Sequence, residues 1–245
     1  MTKVAFVNVG ANASHGSLRS PIFEDETFEF VPIPDTILNF LGHNHGVRYE
    51  ELRASNGVAF REFIPAVYLK QFAHVDPDFQ NFTYGDYPSH GRAANLKKLS
   101  PRDYVIFFSR LVRWEGHFSQ ESGFYFIGFF EVEAVFRNIS SRPNKEAFRE
   151  IGRNVHIIRG NCDPMFYDGF WIIKGTRRSR RFKKAVSLDR KVVERLGLRD
   201  RFGHKWNWEK FRSDEAAIGS YMRAIKLIED GTQARRILDT VGLSY

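Results

Sequence analysis

The chain holds a single cysteine, Cys162, among 245 residues. One thiol forms neither an internal disulfide nor a cysteine-rich zinc ribbon, which excludes a stapled secreted scaffold and points to a reducing cytoplasm. No run approaches about 18 uninterrupted apolar residues, so no membrane-spanning helix is expected. The opening "MTKVAFVNVGANAS" has one lysine and a short apolar run broken at Asn8, too weak a pattern for a secretory signal. Internal repeats, low-complexity segments and the aromatic-poor composition of disordered chains are also missing. What is plentiful is phenylalanine, 24 residues, enough to build a large apolar core, and positive charge. The net charge of +8 and pI near 9.6 create a field that draws polyanions, nucleic acid first among them.

Alternating β-branched and aromatic residues mark the expected strands. "KVAFVNVG" reads as an opening strand ended at Gly10, and a second runs through Phe28, Phe30 and Ile33, pushed to an edge by Pro32 and Pro34. The clearest signal is the pair "RDYVIFFSRLVRW" and "GFYFIGFFEVEAVF", separated by the polar "EGHFSQES", as in a hairpin or two neighbouring barrel strands. "NVHIIRG" and "GFWIIKG" read as two more strands. A short helical turn around Ile37, Leu38, Phe40 and Leu41 is closed by Gly42. From Ser213 the period turns helical through Ile218, Tyr221, Met222, Ile225 and Ile228, and Thr232 caps a second helix reaching Val241. The sum is an α+β protein, with a small barrel over residues 1–212 and a helical extension, 213–245, packed on it.

The densest charge comprises Lys174, Arg177, Arg178, Arg180, Arg181, Lys183 and Lys184, with no acid among them. Such a run repels itself unless phosphates or solvent compensate it, and Trp171 and Phe182 nearby offer faces for an unpaired base. A solvated strand edge is the plainer use. Cys162 precedes the turn signal Asp163-Pro164, so its thiol is expected at a strand end facing a cleft, where nearby cations lower its pKa. A small buried hydrophobe is the plainer role for a lone cysteine. Asp163 or His156 would carry the proton that nucleophilic chemistry requires.

"AHVDPDFQNFTYGDYPSHGR" gathers His74, Asp76, Asp78, Asp86 and His90. Carboxylates this dense most often cap turns, and otherwise bind a cation or act as acid and base. His74-x-Asp76 with a distant histidine has the composition of a two-histidine, one-carboxylate iron site, though the pattern is very short. "GHNHG" adds His43 and His45, and "NASHGSLRSPI" adds His15 and Arg19, the latter suited to a phosphate or a carboxylate.

"SLRSPIFEDETFEFVPIPD", "DPDFQNFTYGD", "LKKLSPRDYVIFFSRL" and "GFYFIGFFEVEAV" together resemble the nucleotide-modification-associated domain families of the second and third types. The likeness continues more loosely through "GFWIIKGTRRSRRFKKAVSL", so it covers most of the first 190 residues. It implies a link to phage and bacterial systems that install unusual bases in DNA, with DNA and other proteins of such a gene cluster as partners and no membrane. The long strand pair is also similar to that of PUA-like barrels, which implies a PUA-like mixed β-barrel with C-terminal helices. Enzymes of 7-deazaguanine metabolism that act on a cyano group use a cysteine and an aspartate. By that likeness Cys162 attacks the nitrile of 7-cyano-7-deazaguanine in DNA, Asp163 protonates the nitrogen, and water releases the amide.

Under this reading Asp76, Asp78 and His156 join Cys162 and Asp163 in the pocket. Arg19 and the Lys174–Lys184 run hold phosphates, and Trp171 or Trp114 stacks the extruded base. No metal and no cofactor is assigned. Two rivals remain open: a non-catalytic PUA-like reader of modified nucleic acid, and a metal-dependent base-modifying enzyme using His74 and Asp76.

Overall fold

The computed structural model describes residues 1–12, 14–42, 45–54 and 60–243; His43 lies outside them. In chain order the regular elements are β1 (Val4–Asn8), β2 (Ser20–Ile22), β3 (Ile33–Pro34), α1 (Thr36–Leu41), β4 (Val47–Arg48), β5 (Phe72–His74), β6 (Thr83–Asp86), β7 (Tyr104–Trp114), β8 (Phe118–Ile139), α2 (Lys145–Ile151), α3 (Val155–Cys162), β9 (Phe170–Gly175), β10 (Arg180–Ser187), α4 (Arg190–Arg195), α5 (Asp214–Tyr221), β11 (Lys226–Ile228) and α6 (Gly231–Thr240). Among the described residues no helix is long and apolar enough to cross a membrane.

Eight strands form one mixed sheet along the path β11-β1-β7-β8-β9-β6, with β2 pairing β7 and β10 pairing β8 beside it; β3, β5 and β4 make a separate small sheet. The expected hairpin is its centre: β7 and β8 run antiparallel from Tyr104 opposite Glu131 to Trp114 opposite Phe118. β8 is 22 residues long, so its first part serves β7 and β10 while its end, from Val132, serves β9. Among the described residues β11 and β6, at the two ends of the path, do not pair. The α+β class holds, but the expected barrel does not close.

One reason is that "NVHIIRG", read as a strand, is the first turns of α3. Asn154 caps this helix, accepting from the His156 backbone N–H at 3.0 Å, and the β-branched run is buried on a helix face instead of a strand face. Near the C-terminus the helical period also misleads. α5 ends at Tyr221, and Lys226–Ile228 forms β11 antiparallel to β1, where ladder hydrogen bonds satisfy the free edge of β1. Asp230, not Thr232, caps α6 through the Gln233 N–H at 2.7 Å. Residues 213–243 thus contribute two helices and an edge strand.

Alternation in the central strands sends side chains into two cores. Val4, Phe6, Ile106 and Phe108 meet Val193, Ile218 and Ile237 of α4 to α6, while Ala5, Val7, Val105 and Phe107 meet Leu96 and Phe130 on the opposite face. In β8, Gly128 faces Phe107 and Phe126 faces Phe108, so Ile127 is an extra residue. This bulge shifts the phase, letting Phe126 before it and Phe129 after it enter the same helical core. Each fully buried ring contributes roughly 1.5–3 kcal/mol, which explains the heavy use of phenylalanine.

Candidate metal centre

Two elements, the small sheet and α3, converge below a cavity of about 890 Å³. The small sheet supplies His74 at the end of β5 and Asp76 two residues on, and α3 supplies His156 from its first turn. His74 Nε2 lies 3.9 Å and His156 Nε2 3.6 Å from Asp76 Oδ2, and one donor atom from each residue lies within 4.8 Å of the others. His156 and Asp76 are nearly sealed, 4% and 7% exposed. Both ring nitrogens of His156 are buried without a hydrogen-bond partner. Each unmet buried group costs about 1–3 kcal/mol, so this imidazole is left wanting a proton donor, an acceptor or an ion.

Burial dominates the electrostatics of the floor. It raises the Asp76 carboxyl to about 8, against the opposing pull of His74 and of the Gly85 N–H, and nearby Asp86 and Asp78 push the same way as burial. It drives His156 down to about 4, helped by the Arg159 charge, and it also lowers His74. Both imidazoles are therefore neutral at pH 7, the form in which they ligate metal.

Behind this trio sits an ordered ion pair. Arg159 lies three residues after His156, hence on the same side of α3, and its Nη2 lies 3.0 Å from Asp35 Oδ2 and 2.9 Å from His74 Nδ1. Asp35 caps α1 through the Leu38 N–H and approaches His74 Nδ1 at 3.2 Å. Burial alone would raise Asp35, but the hydrogen bond from His74 and the Arg159 charge hold it at about 2. His74 Nδ1 thus lies between the Asp35 carboxylate and the Arg159 guanidinium, which fix the ring so that its Nε2 is turned to Asp76, the kind of support behind a histidine that orients metal ligands.

Backbone packing fixes the rest. Gly85 donates to both Asp76 oxygens, at 2.9 and 3.2 Å, and a Cβ at Gly85 would come within 2.5 Å of His156 Cδ2. Only glycine lets β6 run this close to the imidazole. Asn154, fully buried, caps α3 with its carbonyl and turns its amide to Asp76 Oδ1 at 3.4 Å and Thr83 Oγ1 at 3.2 Å. Tyr87 completes the wall, its ring edge-to-face with His156 at 5.3 Å and stacked on His90 at 5.4 Å.

Of the residues singled out in sequence, His15, His74, Asp76, Asp86, His90 and His156 line this cavity. Asp78 does not; it caps a turn through the N–H groups of Gln80 and Asn81. Cys162 is the last residue of α3, not a strand end, and packs half-buried beside Leu38, Phe72, Val155 and Ile158, outside the cavity lining. Burial, aided by the Asp35 charge, pushes its thiol up, the reverse of the lowered pKa expected from nearby cations. Asp163 caps the turn Pro164–Phe166 through the Met165 N–H.

The basic run is likewise elsewhere. Lys174 donates to the Asn81 carbonyl, Arg178 and Arg181 meet Glu131 and Glu29, and Arg180 lies over Phe129. Arg177, Lys183 and Lys184 are exposed. Trp171 lies under Arg137, Trp114 packs edge-on to Phe63 and Phe118, and Arg19 bonds the carbonyls of Gly16 and Leu18; none of these lines the cavity.

Asp35, Arg159, Asn154 and Gly85 were not singled out in sequence. Asp35 and Asn154 carry a local cap signal, Asp or Asn before a helix, but nothing local marks Arg159 or Gly85. No curated protein and no solved structure matches the chain. The family model for nucleotide modification associated domain 3 does match, over residues 3–214, a span that takes in the whole floor of the cavity from Asp35 to Arg159, and the chain belongs to that family.

Proposed function

We propose that this protein is a metal-dependent enzyme that modifies the base of a nucleotide, with His74, Asp76 and His156 as the ligands of a divalent transition metal. Family membership ties the chain to nucleotide modification. The observation that carries the metal is His156: a sealed imidazole with two unpartnered nitrogens, one of them 3.6 Å from a sealed carboxylate. An ion with bonds of about 2.1 Å holds its ligand atoms about 3.0–3.4 Å apart, so the 3.6 and 3.9 Å gaps to Asp76 and the separation of the two imidazoles, within 4.8 Å, all have to close for the three donors to reach it. Two imidazoles and one carboxylate on one side of a cavity suit iron(II) or zinc(II) and leave positions open for substrate or water.

Bound there, the metal supplies Lewis acidity or, as iron, redox chemistry. The chain's own residues do the remaining work. Asp35 and Arg159 hold the His74 ring from its Nδ1 side, and Arg159 neutralises Asp35. Asn154 and Gly85 hold the Asp76 carboxylate, and Tyr87 beside His156 offers a face to a base. Asp76 binds the ion as carboxylate, so ion binding displaces its proton.

Conversion of a cyano-modified base in DNA through Cys162 draws less support, because the thiol lies off the cavity and its pKa is raised, leaving little thiolate. A purely non-catalytic reader has no use for a sealed, unsatisfied donor set. The deciding experiment expresses wild-type, Asp76→Ala and Cys162→Ala proteins in cells carrying the gene's neighbours and analyses cellular nucleosides by mass spectrometry. A modified nucleoside lost with Asp76→Ala and kept with Cys162→Ala is the expected result; the opposite pattern overturns the metal reading.

A further inference from the structure

We propose that the mouth of the metal cavity is a phosphate-binding subsite for the nucleotide substrate, formed by Arg92, Arg212 and Arg223; this rests on the reading of the cavity as the catalytic site. Five arginines line the cavity. Two are spoken for, since Arg159 pairs with Asp35 and Arg110 with Glu215. For Arg92, Arg212 and Arg223 no carboxylate lies within 4.0 Å among the described residues, and all three are exposed. Three guanidinium groups around one opening repel each other unless an anion or solvent compensates them.

Their backbones are anchored even though their side chains are free. The Arg92 carbonyl accepts from the Ile225 N–H at 2.9 Å, which ties the segment after Arg223 to the segment carrying Arg92. Ala93 and Met222, next to these arginines in sequence, are buried. Arg212 precedes Ser213, which caps α5 through the Ala216 N–H. Guanidinium forks on fixed stems match the oxygens of a phosphate in pairs, at lower ordering cost than lysines.

Charge is also segregated along the cavity. The floor holds sealed Asp76 and half-buried Asp86, and the mouth holds the three exposed arginines that have no carboxylate within 4.0 Å among the described residues. A nucleotide is therefore oriented with its phosphate outward and its base inward, beside Tyr87 and the metal ligands. The volume of about 890 Å³ lies within the range of sites that enclose ligands of that size. The cations of β10 do not line the cavity, so they leave this role to the arginine mouth.

The test uses calorimetry on metal-loaded wild-type protein, the double variant Arg92→Ala/Arg223→Ala, and Arg212→Ala. The probes are the four 2′-deoxynucleoside 5′-triphosphates, the corresponding nucleosides, and a 12-nucleotide single strand, with metal content measured on each sample. The expected result is affinity for a phosphate-bearing probe reduced about tenfold or more by the double variant, with metal content and nucleoside binding unchanged. Loss for the triphosphates identifies free nucleotide as the source of the phosphate; loss for the 12-mer alone identifies the polymer. If wild-type protein binds no phosphate-bearing probe, or the variants bind all of them within twofold of wild type, the subsite is refuted. Wild-type protein that holds no metal after loading sinks the catalytic reading instead, and the two failures are distinguished by the metal assay.

Discussion

Two regions of this molecule concentrate reactive or charged side chains, and they differ in how completely the fold satisfies them. Between Cys162 and Lys184 most needs are met: Lys174 donates to a carbonyl at 2.6 Å, Asp163 caps a turn and burial holds the Cys162 thiol protonated, while Arg181 pairs with Glu29 at 3.0 Å and keeps only its Nε without a partner. At the cavity floor His156 has two buried nitrogens with no partner, and Asp76 is a carboxyl raised to about 8. Met needs stabilise a fold. Unmet ones in a sealed place cost stability, and where they fall inside a cluster of metal-binding donors, as His156 does, they point to a ligand.

The comparison is broken most severely by removing a ligand. Asp76→Ala or His156→Ala should reduce bound metal to background by plasma mass spectrometry of protein purified without chelator, whereas Cys162→Ala should retain the wild-type content. Equal loss in all three would erase the distinction between the regions.

Asp35→Asn is the next largest effect. It removes the charge that helps hold the His74 ring in place, so metal affinity measured by competition with a chromogenic chelator should fall about 10- to 100-fold. Asn still caps α1, but Arg159 loses its buried partner, so urea unfolding should also show a loss of about 3–5 kcal/mol. Gly85→Ala forces a methyl against the His156 ring and should cost about 1–3 kcal/mol in urea unfolding together with weaker metal binding.

The pH dependence of the metal-stripped protein sharpens the same contrast. Asp76 has a folded pKa of about 8, above its unfolded value, so its contribution is complete below the ordinary carboxylate range and is lost as pH rises to about 8. His156, lowered to about 4, works in the opposite direction, its contribution growing between about 4 and its ordinary value of 6.5. The two oppose one another up to about pH 6.5; above that Asp76 acts alone. Thermal stability of stripped protein should decline from pH 6.5 to 8, and Asp76→Asn should flatten the decline.

The smallest effect belongs to the basic run. Lys183→Ala/Lys184→Ala removes two exposed cations and should change stability by no more than about 0.5 kcal/mol. If these lysines touch phosphates of a bound single strand, the log–log salt slope becomes shallower by about 1.4. An unchanged slope would leave them as a solvated edge.

How much was legible varied with the range of the interaction concerned. The β7–β8 pair was readable because alternation and β-branching act within a few residues, and Gly42 ending α1 in a left-handed turn is equally local. "NVHIIRG" misled because its β-branched run suits a buried strand and a buried helix face alike; the Asn154 cap decided between them. At the site, the pair His74 and Asp76 stood out by density of titratable residues, but the same density included Asp78, which only caps a turn.

By itself the sequence determined the α+β class, the central hairpin, a basic surface and the family likeness, since these depend on composition, short-range periodicity and motif. Tertiary structure alone decided which histidine joins His74 and Asp76, and that Arg159 stands behind them, 124 positions from its partner Asp35. The physical reason is that a metal-binding geometry needs donor atoms within a few ångströms of each other, and only chain folding, not spacing along the chain, sets distances between remote residues.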